Sequence, residues 1–332
     1  MKTATISTLI LLCFFNLLLA QTPQKTVVAT ASIFADMAEN IAGGHLTIKT
    51  IVPVGGDPHI YEPTPADARL VASADLILKN ALTFEGWLDQ LIASANTKAK
   101  VVTITEGIDA IYSSHKNSSD PHAWMSAANG LIYIENIKNA LVEFDPANRE
   151  VYEFNHGVYK KQLEELDIYI AEQIKKIPEQ RRILITSHDA FEYYGKRYGL
   201  RLESVLGIST DAEAQTSDMV RLAKVIKESG VPAVFVETTV NTKLLEQIAT
   251  DNKVGIGGKL FSDSIGDKNS DAPSYYQMLK YNTDIIVRAL TAEKTNEPEA
   301  GGDNKSPSFI TWALLGLLLV GGFLFVAKKM NG

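Results

Sequence analysis

Three histidines and one aspartate, His59, His122, His188 and Asp263, have the types and the setting to hold a divalent metal ion. Two of them share a tripeptide, Asp57-Pro58-His59 and Asp120-Pro121-His122. Three imidazoles and one carboxylate complete a tetrahedral shell for a borderline transition metal. Neutral imidazole nitrogen binds first-row dications well, and a single carboxylate offsets part of their charge. Proline before His59 and His122 restricts the backbone, so less freedom is lost when those rings take up an ion. Asp57, Asp120 and Asp189 neighbour the ligands in sequence, where a carboxylate can hold the distal ring nitrogen and fix the tautomer. Glu237 is an alternative donor for one of the four positions. His45 and His115 lack such a context, and His156 lies in a charged helical face, so these three read as surface residues.

Side chains spread from position 59 to position 263 meet only if a fold gathers them. The first half alternates strand-like stretches (26–32, 46–54, 76–79, 101–104) with helical ones (33–42, 84–95, and one capped by Thr64 with Pro65 in its first turn). The second half repeats the alternation, with strands at 182–187, 201–206, 233–236 and 254–261 and helices at 190–198, 218–229, 243–250 and 275–290. Strand-then-helix units predict parallel sheets covered by helices. Between the halves runs a helical pattern from Asp145-Pro146 to Pro178, with Asp145 as N-cap. Its apolar positions are Val151, Phe154, Val158, Leu163, Leu166, Ile170, Ile174 and Ile177. About thirty helical residues make a rod of roughly 45 Å, long enough to connect two lobes. The expected fold is therefore α/β, with two parallel-sheet lobes (21–144 and 179–291) joined by one long rigid helix (145–178). Open parallel sheets bind ligands beyond the carboxyl ends of their strands. His59, His188 and Asp263 follow strands, and His122 lies in a loop after 113–119. Two candidates come from each half, which puts the site between the lobes.

The 332-residue chain carries a formal charge of −7, with 45% apolar and 21% charged residues. That is globular composition, and no stretch is basic enough for a phosphate-binding stripe, so no nucleic-acid partner is expected. Residues 1–20 have the layout of a secretory signal peptide ending at Ala20. The single cysteine, Cys13, falls inside it and is not placed as a lipid-attachment site, so the mature chain has neither disulfide nor thiol ligand. Residues 309–327 are uncharged and apolar, about 28 Å as a helix, which matches a bilayer core of roughly 30 Å. Lys328 and Lys329 follow, so 328–332 reads as a cytoplasmic tail. The polar tract 292–308 reads as a flexible tether reaching roughly 20–25 Å.

Longer segments carry a resemblance. They are Val54-Gly55-Gly56-Asp57-Pro58-His59 with Tyr61-Glu62-Pro63-Thr64-Pro65, Asp120-Pro121-His122-Ala123-Trp124, Thr186-Ser187-His188-Asp189-Ala190-Phe191, and Gly257-Gly258-Lys259-Leu260-Phe261-Ser262-Asp263. Together they resemble the metal-binding substrate-binding proteins of zinc and manganese ABC transporters, in the TroA-like branch, from about Thr26 to Leu290. The resemblance implies two α/β lobes on one long helix, with metal held in the cleft by His59, His122, His188 and Asp263. It implies a monomer outside the cytoplasm that performs no catalysis and delivers Zn²⁺ or Mn²⁺, with Fe²⁺ a third candidate, to an ABC permease. Family members carry His or Glu at the third position; here it is His188. Zinc-specialised members often carry a His- and acid-rich loop before the second ligand, whereas 113–119 here has one histidine, His115. Many members are soluble or lipid-anchored, whereas this chain is expected to be held on the periplasmic face by its own C-terminal helix. The rival readings are a metal-dependent hydrolase, which needs an open metal position, and a surface adhesin, which leaves the ligand set unexplained.

Overall fold

Val27, Val28 and Ala29 are wholly buried along one short strand, the mark of a central strand covered on both faces. That strand, β1 (Thr26–Ala29), pairs in parallel with β2 (Thr47–Thr50) and β3 (Leu76–Lys79), and β3 pairs with β4 (Lys100–Thr103). The sheet order is β2-β1-β3-β4. Helices α1 (Ser32–Ala42), α2 (Pro65–Ala72) and α3 (Leu88–Ala95) make the crossovers. Thr64 caps α2 in a reciprocal box with Asp67, and Pro65 stands in the first turn, as the sequence predicts. The computed structural model describes residues 24–113, 118–211 and 214–292. The leader 1–20, His115, the tether beyond Ala292, the apolar segment 309–327 and the tail 328–332 lie outside the described residues. Among the described residues no helix is long and apolar enough to cross a membrane.

After a short antiparallel pair, β5 (Tyr112–Ser113) with β6 (Ser118–Ser119), comes α4 (Ala127–Phe144), a helix that the sequence reading did not predict. The connector, α5 (Arg149–Lys175), follows. Its 27 residues span about 40 Å. Asp145 is not its N-cap: it ends α4, and its carboxylate accepts from the Tyr152 hydroxyl, the Asn148 amide and the Lys25 ammonium. The buried stripe of α5 is Tyr152, Tyr159, Leu163, Leu166, Ile170 and Ile174. Phe154 and Val158 turn outward, 71% and 47% exposed. They lie roughly 160° and 120° around the helix from the middle of that stripe at 3.6 residues per turn, and the two tyrosines take the inner face instead.

In the second half of the chain β7 (Ile183–Thr186) pairs in parallel with β8 (Arg201–Ser204), and β9 (Ala233–Glu237) with β10 (Gly255–Leu260). The strands thus form two parallel pairs, with β7 close beside β9, where one sheet was expected. Helices α6 (Glu192–Tyr198), α7 (Thr216–Ser229), α8 (Lys243–Asp251) and α9 (Tyr275–Thr291) cover them. Helix α5 packs against α1 and α4, which precede it, and against α6 and α9, which follow it. One apolar core joins residues from both halves of the chain and includes Phe34, Trp124 and Tyr133 with Phe191, Tyr275 and Met278. At Gly130 of α4 a Cβ would come within 2.6 Å of the Tyr275 hydroxyl, so glycine lets α9 close on α4. That hydroxyl donates to the Trp124 carbonyl at 2.6 Å.

Candidate metal centre

The four predicted residues come together. His59 lies in the stretch 51–64 after β2, which carries neither helix nor strand. His188 stands two residues beyond β7, and Asp263 three beyond β10, both at carboxyl ends of parallel strands. His122 precedes the short 3₁₀ turn Ala123–Met125. Its loop is tied down by Asn80 at the end of β3, whose amide donates to the Pro121 carbonyl at 3.0 Å. His122, His188 and Asp263 are buried, and the His59 side chain is only 3% exposed.

One donor atom from each of the four lies within 4.8 Å of the others. His59 Nε2 is 3.0 Å from His122 Nε2. Asp263 Oδ1 is 3.4 Å from His122 Nε2 and 3.9 Å from His59 Nε2, and Asp263 Oδ2 is 3.4 Å from His188 Nε2. Bonds of about 2.0–2.2 Å to a tetrahedral ion separate its donors by roughly 3.4 Å, so these spacings match a shell around one ion. His188 Nε2 and Asp263 Oδ1 are buried without a hydrogen-bond partner. Buried polar atoms are nearly always satisfied, so a pair of orphans facing one point is what an ion-binding pocket leaves.

Carboxylates stand behind two of the rings. Asp120 Oδ1 meets His122 Nδ1 at 2.7 Å and also accepts the His122 backbone N–H at 2.9 Å. Glu237, fully buried at the end of β9, places Oε2 2.6 Å from His188 Nδ1, and its Oε1 accepts the His188 N–H at 2.9 Å. With Nδ1 so engaged, Nε2 of each ring is turned toward the common point. Burial lowers the His59 pKa to about 3. Burial also disfavours charge on His122, but Asp120 and Asp263 outweigh it and push that ring up to about 9. Glu237 and Asp263 likewise raise His188 well above its ordinary value against the effect of burial. Asp263 is buried too, yet His188 and His122 hold its carboxyl well below the usual range.

Aromatic rings pack against two of the histidines. Phe84 meets His59 edge-on at 5.2 Å between centroids, and Trp124 meets His122 at 5.3 Å. Phe84 follows three successive left-handed residues, Ala81, Leu82 and Thr83, with φ of 63°, 52° and 72°. Such conformations cost on the order of 1–3 kcal/mol each. The Glu85 carboxylate offsets this by accepting the Asn80 and Ala81 N–H groups at 2.7 and 2.9 Å.

The family profile described as zinc-uptake complex component A periplasmic, ZnuA, matches residues 27–289. The chain belongs to the ZnuA family. Among known members similar to it, the metal ABC transporter substrate-binding lipoprotein ScbA of Streptococcus cristatus is 37% identical over 274 residues, 80% of this chain and 88% of that protein. The manganese-binding lipoprotein MntA of Halalkalibacterium halodurans is 36% identical over 265 residues, with the same coverage of 80% and 88%. The solved structure of the periplasmic zinc binding protein TroA from Treponema pallidum superposes with a TM-score of 0.78 at 32% identity, covering 81% of this chain and 100% of that one.

Some neighbours of the ligands in this ZnuA-family chain differ from the sequence reading. Asp120 holds its ring as expected. Asp57 instead accepts the His59 backbone N–H at 2.9 Å. Asp189 lines an adjoining pocket with Glu192, Glu203 and Asp218, and Glu237 takes the place behind His188. Glu237 thus stands behind His188 and is not among the four clustered donors. Its position at a strand end, like the ligands themselves, was the available signal. Thr239, which donates to Asp263 Oδ2 at 3.0 Å, had none. His45 is exposed as expected, while His156 is half-buried against Glu135, 3.1 Å away.

Proposed function

We propose that this chain captures a divalent transition metal, Zn²⁺ or Mn²⁺, outside the cytoplasm and hands it to the permease of an ABC transporter. His59, His122, His188 and Asp263 hold the ion as its cargo ligands. The observation that carries this reading is the convergence of four donors within 4.8 Å of one another, three on buried residues and two with unpartnered atoms. The names of the similar ScbA, MntA and TroA proteins support it. Four protein donors fill a tetrahedral shell and leave no place for an activated water, so the site suits binding rather than hydrolysis. One copy supplies every donor, which suits a monomer. Three nitrogens and one oxygen bind Zn²⁺ more tightly than Mn²⁺ by the Irving–Williams order, so manganese use would reflect availability.

In this reading 1–20 is a leader, 21–144 and 179–291 are the two lobes, and 145–178 is their connector. The segment 309–327 anchors the carrier where the lipid does in its lipoprotein relatives. A tether raises the local concentration of cargo-bearing carrier at the permease. Elemental analysis of the purified protein, followed by competitive titration with Zn²⁺, Mn²⁺ and Fe²⁺, tests the proposal. One ion per chain is expected, lost in His122→Ala and Asp263→Ala while the metal-free fold persists. Persistence of stoichiometric, tight binding in both variants would remove the site from consideration.

A further inference from the structure

The four ligands are not braced alike. His122 is held by Asp120, His188 by Glu237, and Asp263 by the hydroxyls of Thr239 and Ser262 at 3.0 and 3.3 Å. The His59 ring leans on Phe84, an apolar support, and belongs to a stretch without helix or strand. His59 is also the ligand that lines the ≈ 480 Å³ cavity between the lobes, together with Thr83, Pro121, Leu206 and Ile208. An ion entering or leaving through that cavity meets His59 first.

The His59 loop is fastened from both lobes. On its own side, Trp87 Nε1 donates to the Pro58 carbonyl at 2.8 Å. On the far side, Ser264 Oγ accepts the Gly55 N–H at 2.8 Å, near the start of the loop. Closest to the ligand, Asp57 uses both carboxylate oxygens: Oδ1 accepts the His59 N–H at 2.9 Å, and Oδ2 accepts the Thr210 hydroxyl at 2.6 Å. Thr210 follows β8 in the other lobe, so this bond crosses the cleft.

We propose that Thr210 is a positioning residue whose hydroxyl, donated to Asp57 across the cleft, locks His59 against the other three ligands and so sets how fast the ion leaves. This inference rests on the metal-binding reading above. A hydroxyl given to a carboxylate is among the stronger neutral-to-charged bonds, and Asp57 transmits it directly to the His59 backbone. Removing it leaves the donors in place but lets the 56–60 segment drift from the closed arrangement. Loss of a holding contact acts mainly on dissociation, because the encounter path is unaltered.

The test uses the full-length protein loaded with Zn²⁺ and mixed rapidly with excess chromophoric chelator, so that release is read directly. Thr210→Val, which keeps the shape and removes the hydroxyl, should release zinc about tenfold faster. Its association rate should stay within about twofold of the wild type. Thr210→Ser should restore slow release and keep the melting temperature of the metal-free wild type. A wild-type release rate in Thr210→Val, or a Thr210→Ser as fast as Thr210→Val, would overturn the assignment while leaving the metal site standing. A wild-type protein that takes up no stoichiometric zinc would overturn the metal site itself, and the role of Thr210 with it.

Discussion

Glu237→Gln probes a contact wholly hidden from solvent. The carboxylate accepts the His188 backbone N–H at 2.9 Å through Oε1, and its Oε2 stands 2.6 Å from Nδ1 as an ion pair. Glutamine preserves the volume but replaces one acceptor with a donor. Whichever way the amide turns, a buried N–H then faces another N–H. Leaving one such group unsatisfied costs about 1–3 kcal/mol. The ring can escape by moving its proton from Nδ1 to Nε2, but that blocks the nitrogen that must face the metal. Outer partners of metal-binding histidines change affinity by about 10–100-fold, or roughly 1.4–2.7 kcal/mol, in agreement with the hydrogen-bond figure. Competition against a chelator of known affinity should therefore show the dissociation constant raised by about 10–100-fold, with one ion still bound at saturation. A value within about threefold of the wild type would refute the argument that Glu237 fixes the His188 tautomer.

Metal affinity should depend on pH well above the range of a free histidine. His122 is pushed up to about 9 and His188 is raised well above its ordinary value, so the metal-free site holds protons that the ion must displace. Affinity should rise with pH up to about 9, and calorimetry near neutral pH in buffers of different ionisation enthalpy should show proton release; a flat profile above pH 7 would contradict this. Asp36 in α1 is raised to about 6 by burial, against the opposing hydrogen bond from the Tyr275 N–H. The native state therefore keeps that proton longer than the unfolded chain does, and its contribution to stability falls as pH rises from about 4 to about 6. Asp36→Asn removes that loss, so its melting temperature should gain on the wild type over this window by the equivalent of roughly 2–3 kcal/mol; a gap that does not change with pH would count against it.

The four candidate ligands could be picked from the sequence, and they converge, because each marks a place where the chain has few options. Proline fixes the approach to His59 and His122, and strand ends deliver His188 and Asp263 to the cleft. Glu237 obeys the same strand-end rule, yet a carboxylate beside a ligand and a carboxylate acting as one look alike until distances are known. Thr210 and Thr239 carry no pattern, since a hydroxyl gains its meaning only from a partner 153 or 24 positions away. Helix α4 escaped notice because Gly130 and three asparagines, Asn129, Asn136 and Asn139, dilute its periodicity. In the structure those residues have tertiary uses: Gly130 admits Tyr275, and the Asn136 amide holds the Ile104 and Glu106 carbonyls. The first part of the apolar stripe of α5, Phe154 and Val158, was misplaced for a related reason, while Leu163, Leu166, Ile170 and Ile174 are buried as expected. Tyr152 and Tyr159 count as amphipathic in sequence, and only contact with two lobes decides that they face inward while Phe154 faces out.

Because α5 is stitched along its length to both halves, a jaw-like swing would strip large side chains such as Tyr159, Leu163 and Ile170 from one side or the other. Each would forfeit about 1.5–3 kcal/mol of burial. Little mechanical freedom is left except in the loops at the rim. Under the proposed function, a permease would then distinguish a laden carrier from a spent one by the order of a few residues around His59, not by a change of silhouette.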